Sequence, residues 1–308
     1  LYASMDELGQ SFNFDFAQAN WYADEFRKAI AAGLKAAAET GGSTTTWVMN
    51  NHDVPRSPSR YGLPQVKGAP YHQLPHDWLL RDGTTYREDR ALGTKRARAA
   101  IMMEMALPGS AYVYQGEELG LFEVADIPWD ELEDPSAWRT SRSASTKGRD
   151  GCRVPLPWVA ADAPQLDDPN DEFGHGGSFG FSPADAKAEP HLPQPKWYKD
   201  FAVDVESADP DSMLNLYRRV LALRHELQTT DLSLEWLPED QPGKAHDGAN
   251  GFPGGTIAYR RANGWASITN FGEEPITLPQ GEVLLTSGPL TDDGKLPQDT
   301  SAWLKLAD

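Results

Sequence analysis

Cysteine is nearly missing from this sequence. Cys152 is the only one in 308 residues, which excludes an internal disulfide and fits a reducing, cytoplasmic setting. Basic residues are also scarce, with 28 Lys and Arg against 46 Asp and Glu. The resulting net charge of −18 excludes a nucleic-acid partner, because a phosphate backbone demands a basic stripe. No apolar run approaches the roughly 18–20 residues that a membrane-spanning helix needs, so no membrane partner is expected. His72, His76, His175, His191, His225 and His246 show no metal-ligand spacing, and no cofactor is expected. Internal repeats, low-complexity tracts and a signal-like basic-then-apolar leader are absent too. Leu1 is not an initiator and the first methionine is Met5, so the chain is expected to begin inside a larger unit.

Tryptophan, by contrast, is plentiful. Ten tryptophans and 39% hydrophobic residues describe a folded protein, longer than one typical domain. Apolar periodicity then divides the chain. Ser11–Phe16 alternates with period two and predicts a short strand. Residues 23–39 predict a helix through Phe26, Ile30 and Leu34, ended by Gly41-Gly42. A strand follows at Thr44–Met49, a polar proline-containing loop from Pro55 to Arg87, and a helix at Asp89–Leu107 broken by Pro108-Gly109. A further strand at Ala111–Tyr114 closes this pattern of parallel βαβ units.

From Leu121 to Asp209 periodicity is weak. Trp129, Trp138, Trp158, Phe179 and Trp197 are too many aromatics for simple disorder, so this stretch is read as an ordered loop system over a cleft. A helix resumes at Asp211–Leu227. Short β segments follow at Leu232–Leu237, Thr256–Arg261, Trp265–Asn270, Ile276–Leu278 and Val283–Thr286, predicting an antiparallel sandwich. The expected division is residues 1–230, including a long loop at 115–210, and an all-β module at 231–308.

The most informative segment is Trp47-Val48-Met49-Asn50-Asn51-His52-Asp53-Val54-Pro55-Arg56, continuing Ser57-Pro58-Ser59-Arg60-Tyr61-Gly62. A β-forming run stops in a cluster of amides, imidazole, carboxylate and guanidinium. Buried parallel strands end this way where their carboxyl ends carry chemistry. The plainer reading is an Asp capping a loop with a His packed beside it. The wording resembles the seventh-strand motif of the α-amylase superfamily, glycoside hydrolase family 13, in its α-glucosidase and oligo-1,6-glucosidase branch. Residues 108–120 resemble the eighth-strand motif of that family, and Gly148-Arg149-Asp150-Gly151-Cys152-Arg153 to Trp158 resembles its substrate loop. Leu192-Pro193-Gln194-Pro195 and residues 212–224 resemble the approach to the last barrel helix and its body.

The resemblance implies an α/β fold, the distal part of a (β/α)8 TIM barrel followed by a C-terminal antiparallel β-sandwich. It also implies an α-glucosidase that releases glucose from the non-reducing ends of α-linked oligosaccharides or disaccharides with retention. A sucrose- or trehalose-isomerising transglycosylase and a non-catalytic sugar-binding scaffold are the alternatives. Asp53 would stabilise the transition state, while His52 and Arg149 would bind the sugar, Arg149 at its 4-hydroxyl. The plainer role for Arg149 is an ion pair with Asp150 or another carboxylate; under the binding role, its place in a long loop implies that truncation costs about half a kcal/mol of stability. Arg56 and Arg60 belong to the motif as structural or substrate-facing residues, and Arg60 is carried forward as a binding candidate. Glu117 and Glu118 read as structural, Cys152 as inert packing, and Trp21 and Tyr22 as core. Family members cleave with an Asp nucleophile and a Glu acid/base on earlier strands, and no substitute pair is evident here. Those groups, and any structural calcium near the early strands, are expected outside this chain.

Overall fold

The computed structural model describes residues 12–39, 45–70, 72–138, 146–238 and 251–307. Its first part alternates helix and parallel strand: α1 (Phe14–Ala17), α2 (Ala23–Glu39), β1 (Thr46–Val48), α3 (Ser57–Gly62), α4 (Gln73–Leu79), α5 (Arg90–Met105) and β2 (Ser110–Tyr112). β1 pairs parallel to β2, with Trp47 opposite Ala111, and Phe12 makes an isolated parallel bridge to Thr46. Over residues 12–16 the strand expected at Ser11–Phe16 is therefore corrected to one bridging residue, Ser11 lying outside the described residues. Asn13 is the reason: its side chain accepts from the Phe16 amide at 3.1 Å and caps α1, so the chain turns helical. The other expected elements of this part form, α2 with the expected bounds and the rest with ends shifted by one or two residues, while Gly41, Gly42 and Thr44 lie outside the described residues.

The core forms where α2 and α5 pack against β1. Trp47 is fully buried among Phe16, Phe26, Ile30 and Met102, and its indole donates to the Pro108 carbonyl at 2.7 Å. α5 starts at Asp89, whose carboxylate accepts from the Leu92 amide at 3.0 Å. Along its second half nearly every residue is buried, as befits a helix covered on all sides. One side meets α3 through Gly62 and Gly93, where a methyl on Gly93 would collide with the Pro58 carbonyl.

Residues 113–212 contain short helices α6 (Pro135–Trp138) and α7 (Val203–Ala208) with several 3-10 turns. This long excursion has its own apolar cluster, centred on Leu121, Val124, Phe179, Leu192 and Tyr198, which explains its aromatic content. α8 (Met213–Leu227) then packs on α5, capped by Ser212, which accepts from the Asn215 amide at 3.1 Å.

The last part is an antiparallel sheet in the order β3-β4-β5-β7-β6, from β3 (Leu234–Trp236), β4 (Thr256–Arg261), β5 (Trp265–Asn270), β6 (Gly281–Thr286) and β7 (Thr300–Leu306). One face lies on α5: Trp303 donates to the Met102 carbonyl at 2.9 Å and Ser301 to the Ala99 carbonyl at 2.8 Å. The other face packs on Phe252, Ile276 and Leu296. The expected strand at Ile276–Leu278 is only a bridge from Ile276 to Leu296, whereas β7, unforeseen in the sequence, is an interior strand. Arg224 on α8 and Arg261 on β4 cap the end of α5, donating to the Leu107 and Ala106 carbonyls at 3.1 and 2.6 Å.

Candidate active site

The site is built where β1 ends. Asn50 closes the following loop: its Oδ1 accepts from the Ser57 amide at 2.6 Å and its Nδ2 donates to the Ser57 hydroxyl at 3.1 Å. Asn51 makes an Asx turn inside it, its Oδ1 accepting from the Asp53 and Val54 amides at 2.8 and 3.1 Å. His52 and Asp53 are thereby displayed, both solvent-exposed, with His52 Nε2 3.5 Å from Asp53 Oδ2. Two adjacent asparagines, read at first only as motif, thus supply the scaffold.

A second segment, 148–153, meets the first across the cleft. Arg149 Nη1 donates to Asp53 Oδ1 at 2.6 Å, and Arg153 donates through Nε and Nη2 to the His52 carbonyl at 3.0 and 2.8 Å. Behind Arg149 lies Asp134, whose side chain has no exposure. Its Oδ2 accepts from Arg149 Nε at 2.6 Å and from the Arg149 amide at 3.0 Å, and its Oδ1 accepts from Nη2 at 3.2 Å. This pairing holds the Asp134 carboxyl far below the usual carboxylate range and raises the Arg149 guanidinium. Asp150 is not the partner: its Oδ2 accepts from the Glu133 and Asp134 amides at 2.7 and 2.8 Å. The Arg149–Asp134 pairing weighs against the expectation that Arg149 can be truncated for about half a kcal/mol, because buried Asp134 would keep only its backbone-amide donors and the more distant Arg153.

A cavity of about 500 Å³ opens beside this network, with Asp53, Arg149, His72, His76 and Glu123 in its walls. Burial depresses the His76 imidazole and pushes the Glu123 carboxyl up to about 7. Glu123 Oε2 accepts from the Arg56 amide at 2.9 Å.

The structure brings His52, Asp53 and Arg149 together, and leaves Arg60 apart from them. Arg60 is buried, donating to the Pro55 and Met49 carbonyls at 2.8 and 3.0 Å. Arg56 is likewise internal, donating to the Gln115 and Cys152 carbonyls at 3.1 and 2.9 Å. Glu117 and Glu118 serve the turn after β2, accepting from the Tyr114 and Gly116 amides at 3.1 and 2.8 Å. Burial pushes the Cys152 thiol up, leaving it unreactive at neutral pH. Trp21 is core, its indole donating to Asp299 at 2.5 Å. Among the described residues no group of three or more His, Cys, Asp or Glu is placed to hold a metal ion, and no helix is long and apolar enough to cross a membrane. His246 lies outside the described residues.

Arg153 was visible in the substrate-loop wording without a role. Asp134 precedes Pro135 and reads locally as a helix cap, so nothing in the sequence pointed to it.

Compared with known proteins, residues 2–231 match the family described as "Alpha amylase, catalytic domain". The chain belongs to the α-amylase family. Its parallel segments and helices are the distal part of the family's TIM barrel, and the antiparallel sheet is the C-terminal domain. A "Probable alpha-glucosidase" of Rhizobium meliloti (strain 1021) is 30% identical over 178 residues, covering 58% of this chain and 24% of that protein. An alpha-glucosidase of Candida albicans is 24% identical over 305 residues, covering 91% of this chain and 45% of that protein. The crystal structure of a trehalose-6-phosphate hydrolase from Bacillus licheniformis superposes with a TM-score of 0.65 at 21% identity, covering 100% of this chain and 53% of that one. This α-amylase-family chain therefore spans about half, or less, of the length of these relatives.

Proposed function

We propose that this chain forms the distal wall of the active site of an α-glucosidase that releases terminal glucose from α-linked oligosaccharides with retention. The single observation that carries the reading is Arg149 meeting Asp53 at 2.6 Å on the open side of a cavity. A carboxylate and a guanidinium in the wall of one cavity, with the His52 imidazole and a second guanidinium next to them, suit a neutral, hydroxyl-rich ring better than a charged or apolar ligand.

The chemistry follows from that placement. Retaining cleavage passes through an oxocarbenium-like ring, and contacts to the 2-hydroxyl strengthen as it forms. Ionised Asp53 stabilises the developing positive charge, His52 donates to a neighbouring hydroxyl, and Arg149 grips the 4-hydroxyl of a terminal sugar. The nucleophile and acid/base belong to earlier barrel strands outside this chain. Supporting this, Phe12, Phe14, Tyr112 and Val113 are exposed beside the parallel strands, with the Phe12 and Tyr112 rings 4.8 Å apart. Parallel sheets are ordinarily covered on both faces. Carboxylates and water suffice for this reaction, so no cofactor is included, and the single cysteine supports a cytoplasmic setting.

An aryl α-glucoside tests the reading. The purified chain is expected to show no turnover, and a full-length version carrying the earlier strands to release glucose with retained anomeric configuration. Turnover by the chain alone that Asp53→Asn abolishes would overturn the assignment of the nucleophile elsewhere. Mainly transfer products from the full-length version would replace hydrolase with transglycosylase.

A further inference from the structure

Arg149 is held from two sides. Its Nε and Nη2 edge faces buried Asp134 and its Nη1 faces exposed Asp53. The planar fork of a guanidinium permits this division, whereas a lysine ammonium has no second edge to fix its direction. Asp134 is itself fixed. Its Oδ1 accepts from the Ser136 amide at 3.0 Å, and Asp150 Oδ2 anchors the Glu133 and Asp134 amides. The clasp is reciprocal: segment 149–150 ties down segment 133–134, and Asp134 ties down Arg149. Gly148, at φ 87°, lets the two segments meet, since a Cβ there would stand 3.0 Å from Asp134 Cβ. Arg153 Nη1 approaches Asp134 Oδ2 only to 3.8 Å, so Arg149 is the principal partner.

From this geometry we infer that Asp134 is a positioning residue of the sugar site. It aims Arg149 into the cleft and offsets its charge, so that Asp53 keeps a net negative field toward the reacting ring. Without Asp134, the Nε and Nη2 edge of Arg149 would lose its fixed partner and the side chain would pivot on its Nη1 bond to Asp53, with Arg153 3.7 Å from the same carboxylate. Asp134 touches no sugar in this scheme; it acts through Arg149. The inference rests on the α-glucosidase reading proposed for the site.

Two measurements test it. In the 308-residue chain, the Arg149 Nε–H nitrogen resonance, assigned by its disappearance in Arg149→Lys, is expected to be sharp in the wild type and in Asp53→Asn. In Asp134→Asn it is expected to exchange out with water. Circular dichroism melts separate that loss from unfolding, and an unchanged resonance in Asp134→Asn would overturn the clasp. In the full-length enzyme, the ratio of kcat/KM for an α-glucoside over its 4-deoxy analogue is the second readout. Arg149→Ala and Asp134→Asn are each expected to cut that ratio by about tenfold or more, as for a lost hydroxyl contact. In the Arg149→Ala background, Asp134→Asn is expected to change it by less than about twofold, the non-additivity of residues acting as one unit. If Arg149→Ala leaves the ratio intact, the sugar-binding role of Arg149 falls and the inference with it. If Arg149→Ala lowers the ratio but Asp134→Asn does not, the inference alone is overturned.

Discussion

The Tyr217 hydroxyl donates to Glu117 Oε1 at 2.7 Å, joining α8 to the turn that follows β2. The other Glu117 oxygen accepts from the Tyr114 amide at 3.1 Å, so this carboxyl spans the last helix and the loop below the cleft. Glu104, at the end of α5, is buried in the same region with no hydrogen-bond partner on either oxygen. Burial drives both carboxyls up, Glu117 to about 7 and Glu104 well above its ordinary range, and the Glu117 charge further opposes ionisation of Glu104.

This pair makes stability depend on pH with a definite sign. Both groups hold a proton more tightly in the folded state than in the unfolded chain, where a glutamate titrates near 4.5. Stability is therefore greatest below about 4.5 with respect to these groups, and is lost as pH rises through about 7. Glu123 and Glu206, also raised to about 7 by burial, act in the same direction. Glu104→Gln is expected to be neutral at pH 4.5 and stabilising by roughly 1–3 kcal/mol at pH 8, because the unfolded chain gains by ionising this glutamate while the folded state resists it, and glutamine removes that difference. Thermal melts of both proteins across that range are the check. A wild-type midpoint that climbs steadily from pH 5 to 8 would contradict the assignment.

Arg56 is expected to be among the most sensitive positions in the loop after β1. Its guanidinium satisfies two carbonyls of other segments and stacks 5.4 Å from the Tyr114 ring centre. Arg56→Ala should destabilise the chain by roughly 3 kcal/mol, through orphaned carbonyls and a void. Urea unfolding measures this directly. A loss under about 1 kcal/mol would mean that water replaces the guanidinium without cost.

Gly93→Ala separates intrinsic helix preference from packing. In a free helix the change favours α5 by about 1 kcal/mol. Here the added methyl would strike the Pro58 carbonyl and crowd the Gly62 amide at 3.1 Å, backbone atoms that cannot rotate away. A net loss of roughly 2 kcal/mol is expected from overpacking. A gain in melting temperature would show that α3 can withdraw from α5.

Asp53→Asn in the full-length enzyme should lower kcat far more than it raises KM, by at least about 10²–10³-fold, since its contact strengthens only as ring charge develops. The exposure of Asp53 argues that folding is spared: its carboxylate is 41% accessible. Steady-state kinetics with matched melting curves is the comparison. An unchanged kcat would make Asp53 a partner for Arg149 and nothing more.

Several elements were readable from local pattern because their causes are local. α2, α5 and α8 follow from their apolar spacing between polar starts and breakers, and β4 and β5 run over the short β segments expected there. The period-two pattern at residues 11–16 misled because the Asn13 cap outweighs it. β7 escaped notice although its residues are β-forming, since its interior place depends on β5 and β6 lying on either side.

By itself the sequence determined that a strand runs into a His-Asp loop just before Asn50 and that a second, arginine-bearing segment lies at 148–153, because residue type and spacing are properties of the chain. It also determined the parallel-then-antiparallel order of elements and that no disulfide can form within these 308 residues. Only the tertiary structure decided which carboxylates hold Arg149. Asp53 lies 96 residues away and Asp134 15 residues away, and adjacent Asp150 turns to other amides instead. The tertiary structure likewise turned Arg60 inward and placed Glu104 against Glu117. Burial and charge pairing are relations between distant segments, and such relations exist only once the chain has packed.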